Sequence, residues 1–284
     1  MRTVALDFPK SVLIETCNLC QGMCKFCPYP ELRANEEKTL LSDEIIISLL
    51  KELKEHNVSR LTLFNNNEPL LDKRIYKIIA LAHKMMPNIE ITLSSNGRLI
   101  TKEIFDRLYN CGLTTLYISV PCVERENYKN IMGIYPDRLF TVLNDVSEKH
   151  LIEMIRIAVP ITKFLNEENL KNKFKNYKIC IWNLEYKESW GIGKKFFDIA
   201  TDKSFAGECD RPMDQAVISS NGNVLICCRD WQEQNVLGNI YKNTLSEIWQ
   251  GEKMKKIQEL ISSKQYGMIK CCSDCIMDCR MYKR

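Results

Sequence analysis

No apolar run long enough to cross a bilayer interrupts this 284-residue chain, and no export signal opens it. The stretch MRTVALDFPK lacks the apolar centre of a signal peptide. Runs such as Ile78 to Ala82 fall far short of the roughly 20 residues a membrane-spanning helix needs. The expectation is a soluble cytoplasmic protein. A basic stripe is missing too: 40 Lys and Arg against 36 Asp and Glu leave a formal charge of +4, spread along the chain. That distribution argues against a nucleic-acid partner. Internal repeats and low-complexity linkers are absent, so the chain reads as one large or two modest domains in direct contact. With 45% hydrophobic residues it can build a core without covalent staples.

What the sequence has in excess is cysteine, fourteen residues of it. Without an export signal, and in a chain too large to need a disulfide framework, metal or redox chemistry is the better reading. Cys17, Cys20, Cys24 and Cys27 crowd the start, and Cys271, Cys272, Cys275 and Cys279 crowd the end. Two separate sites are implied.

Between them, strand-like runs alternate with segments of helical period. Strands are expected at Val12–Ile14, Leu61–Phe64, 89–94, 114–119, 152–158 and 178–184. Helices are expected to start at Ser42, Asp72, Thr101, Pro136 or Asp137, and Asn166, with stops at Pro87-Asn88 and Cys111-Gly112. Six strands joined by long crossovers describe a parallel α/β arrangement, and periodicity permits either a barrel or a doubly wound sheet. In both, chemistry belongs at the carboxyl ends of the strands. After Trp190-Gly191-Ile192-Gly193 the alternation stops. Ala216–Ile218 and Val224–Ile226 then flank the turn signal Asn221-Gly222, and a long helix is expected from Thr244 to about Ser263.

The most specific signal is Cys20-x3-Cys24-x2-Cys27, in the loop after the first strand. Three thiolates from one loop can hold three irons of a cubane and leave the fourth open to a ligand. A four-cysteine zinc site including Cys17 competes, as does a ferredoxin cluster, although the order of spacings differs from the latter. The spacing resembles the radical S-adenosylmethionine (SAM) superfamily. That resemblance implies a partial (β/α)6 TIM barrel whose [4Fe-4S] cluster binds SAM and, once reduced, cleaves it to a 5'-deoxyadenosyl radical that abstracts hydrogen from substrate. Cys17 is then a non-ligand close by, and Phe26 holds the aromatic position beside the adenine. Asn66-Asn67-Glu68 stands where the family has Gly-Gly-Glu against the SAM amino group, with two Asn departing from the usual glycines. Ser94-Ser95-Asn96-Gly97 is similar to the segment that lines the SAM cavity. Ser119 and Arg156 fall where relatives contact SAM, the arginine through its carboxylate.

Cys209, twelve residues, Gly222, four residues and Cys227, then Cys272-x2-Cys275, resemble the SPASM/Twitch extension of the same superfamily. Leu237–Ile240 and Leu245–Trp249 look like its connecting segment. The resemblance implies domains at 1–194 and 195–284, the second a small α+β unit with a β-hairpin. It also implies one auxiliary [4Fe-4S] cluster on Cys209, Cys227, Cys272 and Cys275, with Cys271 or Cys279 as substitutes. A zinc ribbon is the competing reading. Twitch relatives oxidise an alcohol to a ketone, passing an electron to that cluster. The alternative is epimerisation or peptide modification, with Cys122 or Cys228 returning a hydrogen atom. Because the first strand begins near residue 11, a small substrate (sugar, aminoglycoside, nucleoside or amino acid) is expected over a peptide. A flavodoxin- or ferredoxin-type protein is the expected electron donor.

Overall fold

The computed structural model describes residues 6–32, 36–160, 164–182, 209 and 211–273. Six strands, β1 (Ser11–Ile14), β2 (Arg60–Thr62), β3 (Glu90–Ser95), β4 (Thr115–Ser119), β5 (Ile155–Pro160) and β6 (Lys178–Trp182), run parallel and side by side in chain order. That order decides between the two architectures open to the sequence. A doubly wound sheet reverses its order at a switch point, whereas adding each strand on the same side curls the sheet into a barrel wall. The wall is an incomplete (β/α)6 barrel.

Amphipathic helices cover its outside. The helix Asp43–Glu55 starts where Ser42 Oγ accepts the Ile45 N–H at 3.3 Å, and it buries Ile46, Leu49, Leu50 and Leu53. The helix Ile75–Met85 buries Ile75, Ile78, Ile79 and Ala82. These side chains share one core with Leu61, Ile91, Leu93, Leu116, Ile118 and Ile157. Strand residues paired in register point to the same face, and Leu61 pairs with Ile91, Leu93 with Leu116, and Ile118 with Ile157. The opposite, inner face carries the pairs Thr62–Thr92, Ser94–Tyr117, Ser119–Ala158 and Ala158–Cys180. A sealed barrel fills its interior with Val, Ile and Leu. Here the inner wall is polar, and Ser94, Tyr117, Ser119 and Cys180 are only half-buried.

The sheet runs on beyond β1. The strand β7 (Gln215–Ile218) lies parallel to it, Ser11 opposite Gln215 and Ile14 opposite Ile218, followed by antiparallel β8 (Asn223–Leu225) and β9 (Val236–Asn239). The turn between β7 and β8 is a three-residue loop that contains Asn221-Gly222, the expected turn signal. Gly222 N–H donates to Ser219 O at 2.8 Å, and Ser219 N–H donates to Asn223 O at 2.9 Å. Gly222 supplies the left-handed residue, at φ +86°, that closes such a loop.

Three expected elements differ. Residues 152–154 belong to a helix, Lys149–Met154, and the strand starts only at Ile155. Asp72 ends a 3-10 turn instead of capping a helix. Its carboxylate takes the Arg74 N–H at 2.9 Å and the Arg74 guanidinium at 2.9 Å, so the helix begins at Ile75. The long helix from Thr244 is broken at Gly251, whose extended backbone (φ −72°, ψ 161°) separates Leu245–Trp249 from Glu252–Ser262. Trp190–Gly193 and the expected domain boundary at 194/195 lie outside the described residues. No helix among the described residues is long and apolar enough to cross a membrane.

A Cβ at residue 222 would lie 2.5 Å from Tyr241 Cδ2, on top of the positive φ. Gly222→Ala should therefore lose about 1–2 kcal/mol of stability. A urea midpoint unchanged from wild type would contradict this geometry.

Candidate active site

The loop that follows β1 is tied down on three sides. Tyr29 accepts the Cys20 N–H at 3.0 Å and donates its hydroxyl to Asn18 O at 2.9 Å. Glu68 N–H donates to Leu19 O at 2.7 Å, and Lys25 N–H donates to Ile131 O at 2.9 Å. Cys27 N–H closes a turn onto Cys24 O at 3.0 Å. Within this frame Cys20, Cys24 and Cys27 are neighbours. Gly22 sits between the first two, and a Cβ there would lie 3.2 Å from Cys20 Sγ and 3.5 Å from Cys24 Sγ.

Burial raises the pKa of all three thiols, and for Cys24 the charges of Cys27 and Cys20 raise it further. Cys27 is pushed up to about 12 by burial. Thiolates that repel one another in a dry loop need positive charge between them, and metal coordination supplies it. Among the described residues no three Cys, His, Asp or Glu side chains converge on a single ion. A cubane does not require that convergence, because it spreads three thiolates over three irons. Three thiols on one loop fit a cubane that takes one thiolate at each of three irons.

Two further strand ends meet this loop. Glu68, only 1% exposed, accepts the Asn96 N–H at 2.7 Å and the Leu70 N–H at 3.3 Å. Burial pushes its carboxyl up to about 7, against those N–H donors and Ser95. It is therefore a buried brace and not a solvated loop acid. Ser95 Oγ accepts the Gly97 N–H at 3.1 Å. Asn96 Nδ2 donates to Gln21 Oε1 at 3.3 Å and lies 3.9 Å from Cys20 Sγ. Asn67 Nδ2 lies 3.7 Å from the Sγ of fully buried Cys17, whose backbone bridges to Leu40. Neither Asn66 nor Asn67 takes the left-handed backbone that would have let it mimic glycine.

Sequence reasoning passed over Glu15, which follows β1 directly. Fully buried, it accepts the Asn66 N–H at 3.0 Å and the Ser220 hydroxyl at 3.2 Å, so it links the loop after β2 to the loop after β7. Ser220 Oγ is in turn 2.7 Å from Thr39 Oγ1. The signal was a charge inside the apolar run Val12-Leu13-Ile14-Glu15, at a strand's carboxyl end.

The second cysteine group assembles around β8 and the end of the described chain. Asp230, 2% exposed, accepts the Gln234 N–H at 2.8 Å and the Asn235 N–H at 2.7 Å. Asn235 Oδ1 accepts the Cys271 N–H at 3.0 Å. That chain brings Cys227, Cys271 and Cys272 to one side, with Cys271 Sγ 4.0 Å from Cys272 Sγ. Cys209 joins them, near enough to Cys227 to raise its pKa, with its N–H on the Tyr266 hydroxyl at 3.2 Å. Cys228 stays beside Cys227, the two thiols sharing a hydrogen bond, and also packs against Leu13, Val217 and Leu225, with Arg211 Nη1 3.5 Å from its Sγ. The hydrogen bond with Cys227, and then Arg211 and Arg229, lower its pKa against the opposing effect of burial. Cys275 and Cys279 lie outside the described residues.

Comparison with known families bears on both groups. Residues 14–173 match the family model of the radical SAM superfamily, and residues 209–276 match an iron-sulfur cluster-binding domain, SPASM. The chain belongs to the radical SAM superfamily. It is 18% identical over 263 residues to the S-adenosyl-L-methionine-dependent 2-deoxy-scyllo-inosamine dehydrogenase of Niallia circulans, covering 92% of this chain and 90% of the dehydrogenase. It is 24% identical to the GTP 3',8-cyclase of Helicobacter pylori, of which it spans just 57%. Among solved structures, BtrN in complex with AdoMet and 2-DOIA superposes with a TM-score of 0.67 at 17% identity, covering 94% of this chain and 93% of BtrN. Streptococcus suis SuiB bound to S-adenosylmethionine gives 0.67 at 18% identity, covering 90% of this chain and 69% of SuiB. A radical SAM enzyme uses SAM and a [4Fe-4S] cluster, and its SPASM domain binds further iron-sulfur.

Of the SAM-facing positions implied by the resemblance, Glu68, Ser95 and Asn96 stand at the cluster loop. Half-buried Phe26 packs on the main core, and Ser119 ends β4 on the inner wall. Arg156 does not join them. It is the second residue of β5, at the amino end of the barrel, and its Nη1 donates to Ile155 O at 3.0 Å and to Glu153 O. Strand periodicity gave its place in the run but not which end of the barrel it marks. Cys122 is fully buried in the main core, where burial lifts its thiol to about 12.

Gly22→Ala should push the Cys20 and Cys24 sulfurs apart and lower the iron retained by the radical SAM loop at least twofold while leaving the fold intact. Iron counting alongside circular dichroism checks this. Full iron in a folded variant would contradict the close approach at Gly22.

Proposed function

We propose that this radical SAM enzyme oxidises a hydroxyl-bearing small molecule. In this reading Cys20, Cys24 and Cys27 hold the SAM-binding cluster in a barrel domain at 1–194. Cys209, Cys227, Cys272 and Cys275 hold a single auxiliary cluster in a domain at 195–284, with Cys271 close enough to Cys227 and Cys272 to replace one of them. When bound, SAM and its cluster supply a 5'-deoxyadenosyl radical that takes a hydrogen atom from the substrate.

The observation that carries the reading is the inner wall. Ser94 and Ser119 offer half-buried hydroxyls on one face, near the carboxyl ends of β3 and β4, while Thr62 and Thr92 bond each other at 2.9 Å. Hydroxyl groups can donate and accept hydrogen bonds at once, which suits a polyol or aminocyclitol. Near-full-length similarity to a 2-deoxy-scyllo-inosamine dehydrogenase supports the same class. Glu68 and Glu15 hold the loops after β2 and β3 against the cluster loop. A flavodoxin- or ferredoxin-type protein is the proposed source of the electron.

Epimerisation is the second reading, and one placement favours it. Cys228 lies against Leu13, Val217 and Leu225, which continue the inner face through β1, β7 and β8. Packing on that face supports Cys228 as the hydrogen donor in this reading.

The two readings separate by mass. The reconstituted protein, incubated anaerobically with SAM, dithionite and a panel of polyols and aminocyclitols, should release a product lighter by two hydrogens, with one 5'-deoxyadenosine per product. Ser119→Ala should lower kcat/KM roughly five- to tenfold, the worth of one hydrogen bond to substrate. A product of unchanged mass would replace oxidation with epimerisation, and a panel that yields only uncoupled 5'-deoxyadenosine would contradict the substrate class.

A further inference from the structure

Arg98 follows the Ser95-Asn96-Gly97 segment at the end of β3, and none of the chemistry above uses it. Its backbone N–H donates to Asn96 Oδ1 at 3.0 Å, and its Nη2 donates to Met132 O at 2.7 Å. Met132 ends the helix Arg125–Met132, whose Ile131 carbonyl also holds the cluster loop through Lys25 N–H. The guanidinium is thus anchored to the same helix end as the cluster loop. A Cβ at Gly133 would meet Arg98 Nη2 at 3.4 Å and Met23 Cβ at 3.7 Å, so the arginine and the loop share one narrow gap. Arg98 Nε is buried and has no hydrogen-bond partner among the described residues. A guanidinium N–H left unpaired in a protein interior is costly.

The groups that feel this charge are all anion-forming: Cys20, Cys24, Glu68 and Tyr128. Two of them are thiols of the loop that fits the cubane. A cubane on three thiolates is already anionic, and each electron it accepts makes it more so. A fixed cation beside it favours the reduced form.

We propose that Arg98 is a positioning residue that holds the reduction potential of the barrel cluster high enough for its donor. This rests on Cys20, Cys24 and Cys27 being the ligands. The charge acts at short range and partly out of water, so its removal should change the ratio of reduced to oxidised cluster at a fixed potential about tenfold. For a one-electron couple that is a drop of about 59 mV.

The experiment is an anaerobic redox titration of the reconstituted full chain, followed by electron paramagnetic resonance. The signal that shifts when SAM is added identifies the barrel cluster. Arg98→Gln should lower its potential by the amount above, and Arg98→Lys, which keeps the charge, should lose much less. Arg98→His provides both states in one protein: its potential should fall relative to wild type as pH rises through the histidine pKa. That variant decides the matter if Arg98→Gln loses iron. An unchanged potential in iron-replete Arg98→Gln would overturn the proposal, as would equal drops in the Gln and Lys variants. Weaker SAM binding at constant potential would also overturn it, and would assign Arg98 to the SAM carboxylate. Absence of any SAM-sensitive cubane signal in wild type would instead sink the ligand assignment.

Discussion

Three thiols that repel one another as anions have to be kept together on one short loop, and much of the fold serves that constraint. The loop cannot hold its own shape, because it contains no regular backbone ladder. It borrows rigidity from Tyr29, from the Glu68 amide and from the end of the helix Arg125–Met132. Gly22 lets two sulfurs approach where any side chain would intrude. Iron held by these thiols would supply the positive charge, as coordinated thiols lose their protons to a metal.

The strand β1 ties this loop to the rest of the molecule. On one side it pairs with β2, whose following loop carries Asn66 and Glu68, and on the other with β7, which leads to Cys227. The SPASM region is therefore attached through the sheet itself. Glu15 reinforces the junction, its two carboxylate oxygens bonded to opposite neighbours of β1. A fully buried carboxylate is expensive unless it is bonded on both oxygens, and that requirement fixes the two loops relative to each other.

Much of this was legible in the sequence, for reasons that can be named. Cysteine spacing is local, so Cys20, Cys24 and Cys27 announced the loop without any fold. Strand and helix periods, with caps at Ser42, Thr101 and Asn166, gave the alternation because those side chains bond their own backbone. What stayed hidden depends on local bonds that periodicity does not weigh, and on distant partners. Arg74 reaching Asp72 shifted a helix start, and extended backbone at Gly251 split a helix whose two halves share one apolar pattern. Arg156 looked like a SAM contact because a strand's pattern does not show which end faces the chemistry. Arg98 and Glu15 looked ordinary because only the packing of β3 against the cluster loop, and of β7 against β1, gives them their neighbours.

The central claim is that Cys20, Cys24 and Cys27 alone open an iron to SAM. The most direct measurement is reductive release of 5'-deoxyadenosine by the chain with all three replaced by Ala, alongside its iron content. Release should vanish while roughly four irons remain on the SPASM cysteines. Cleavage at the wild-type rate in that variant would place SAM elsewhere and contradict the account.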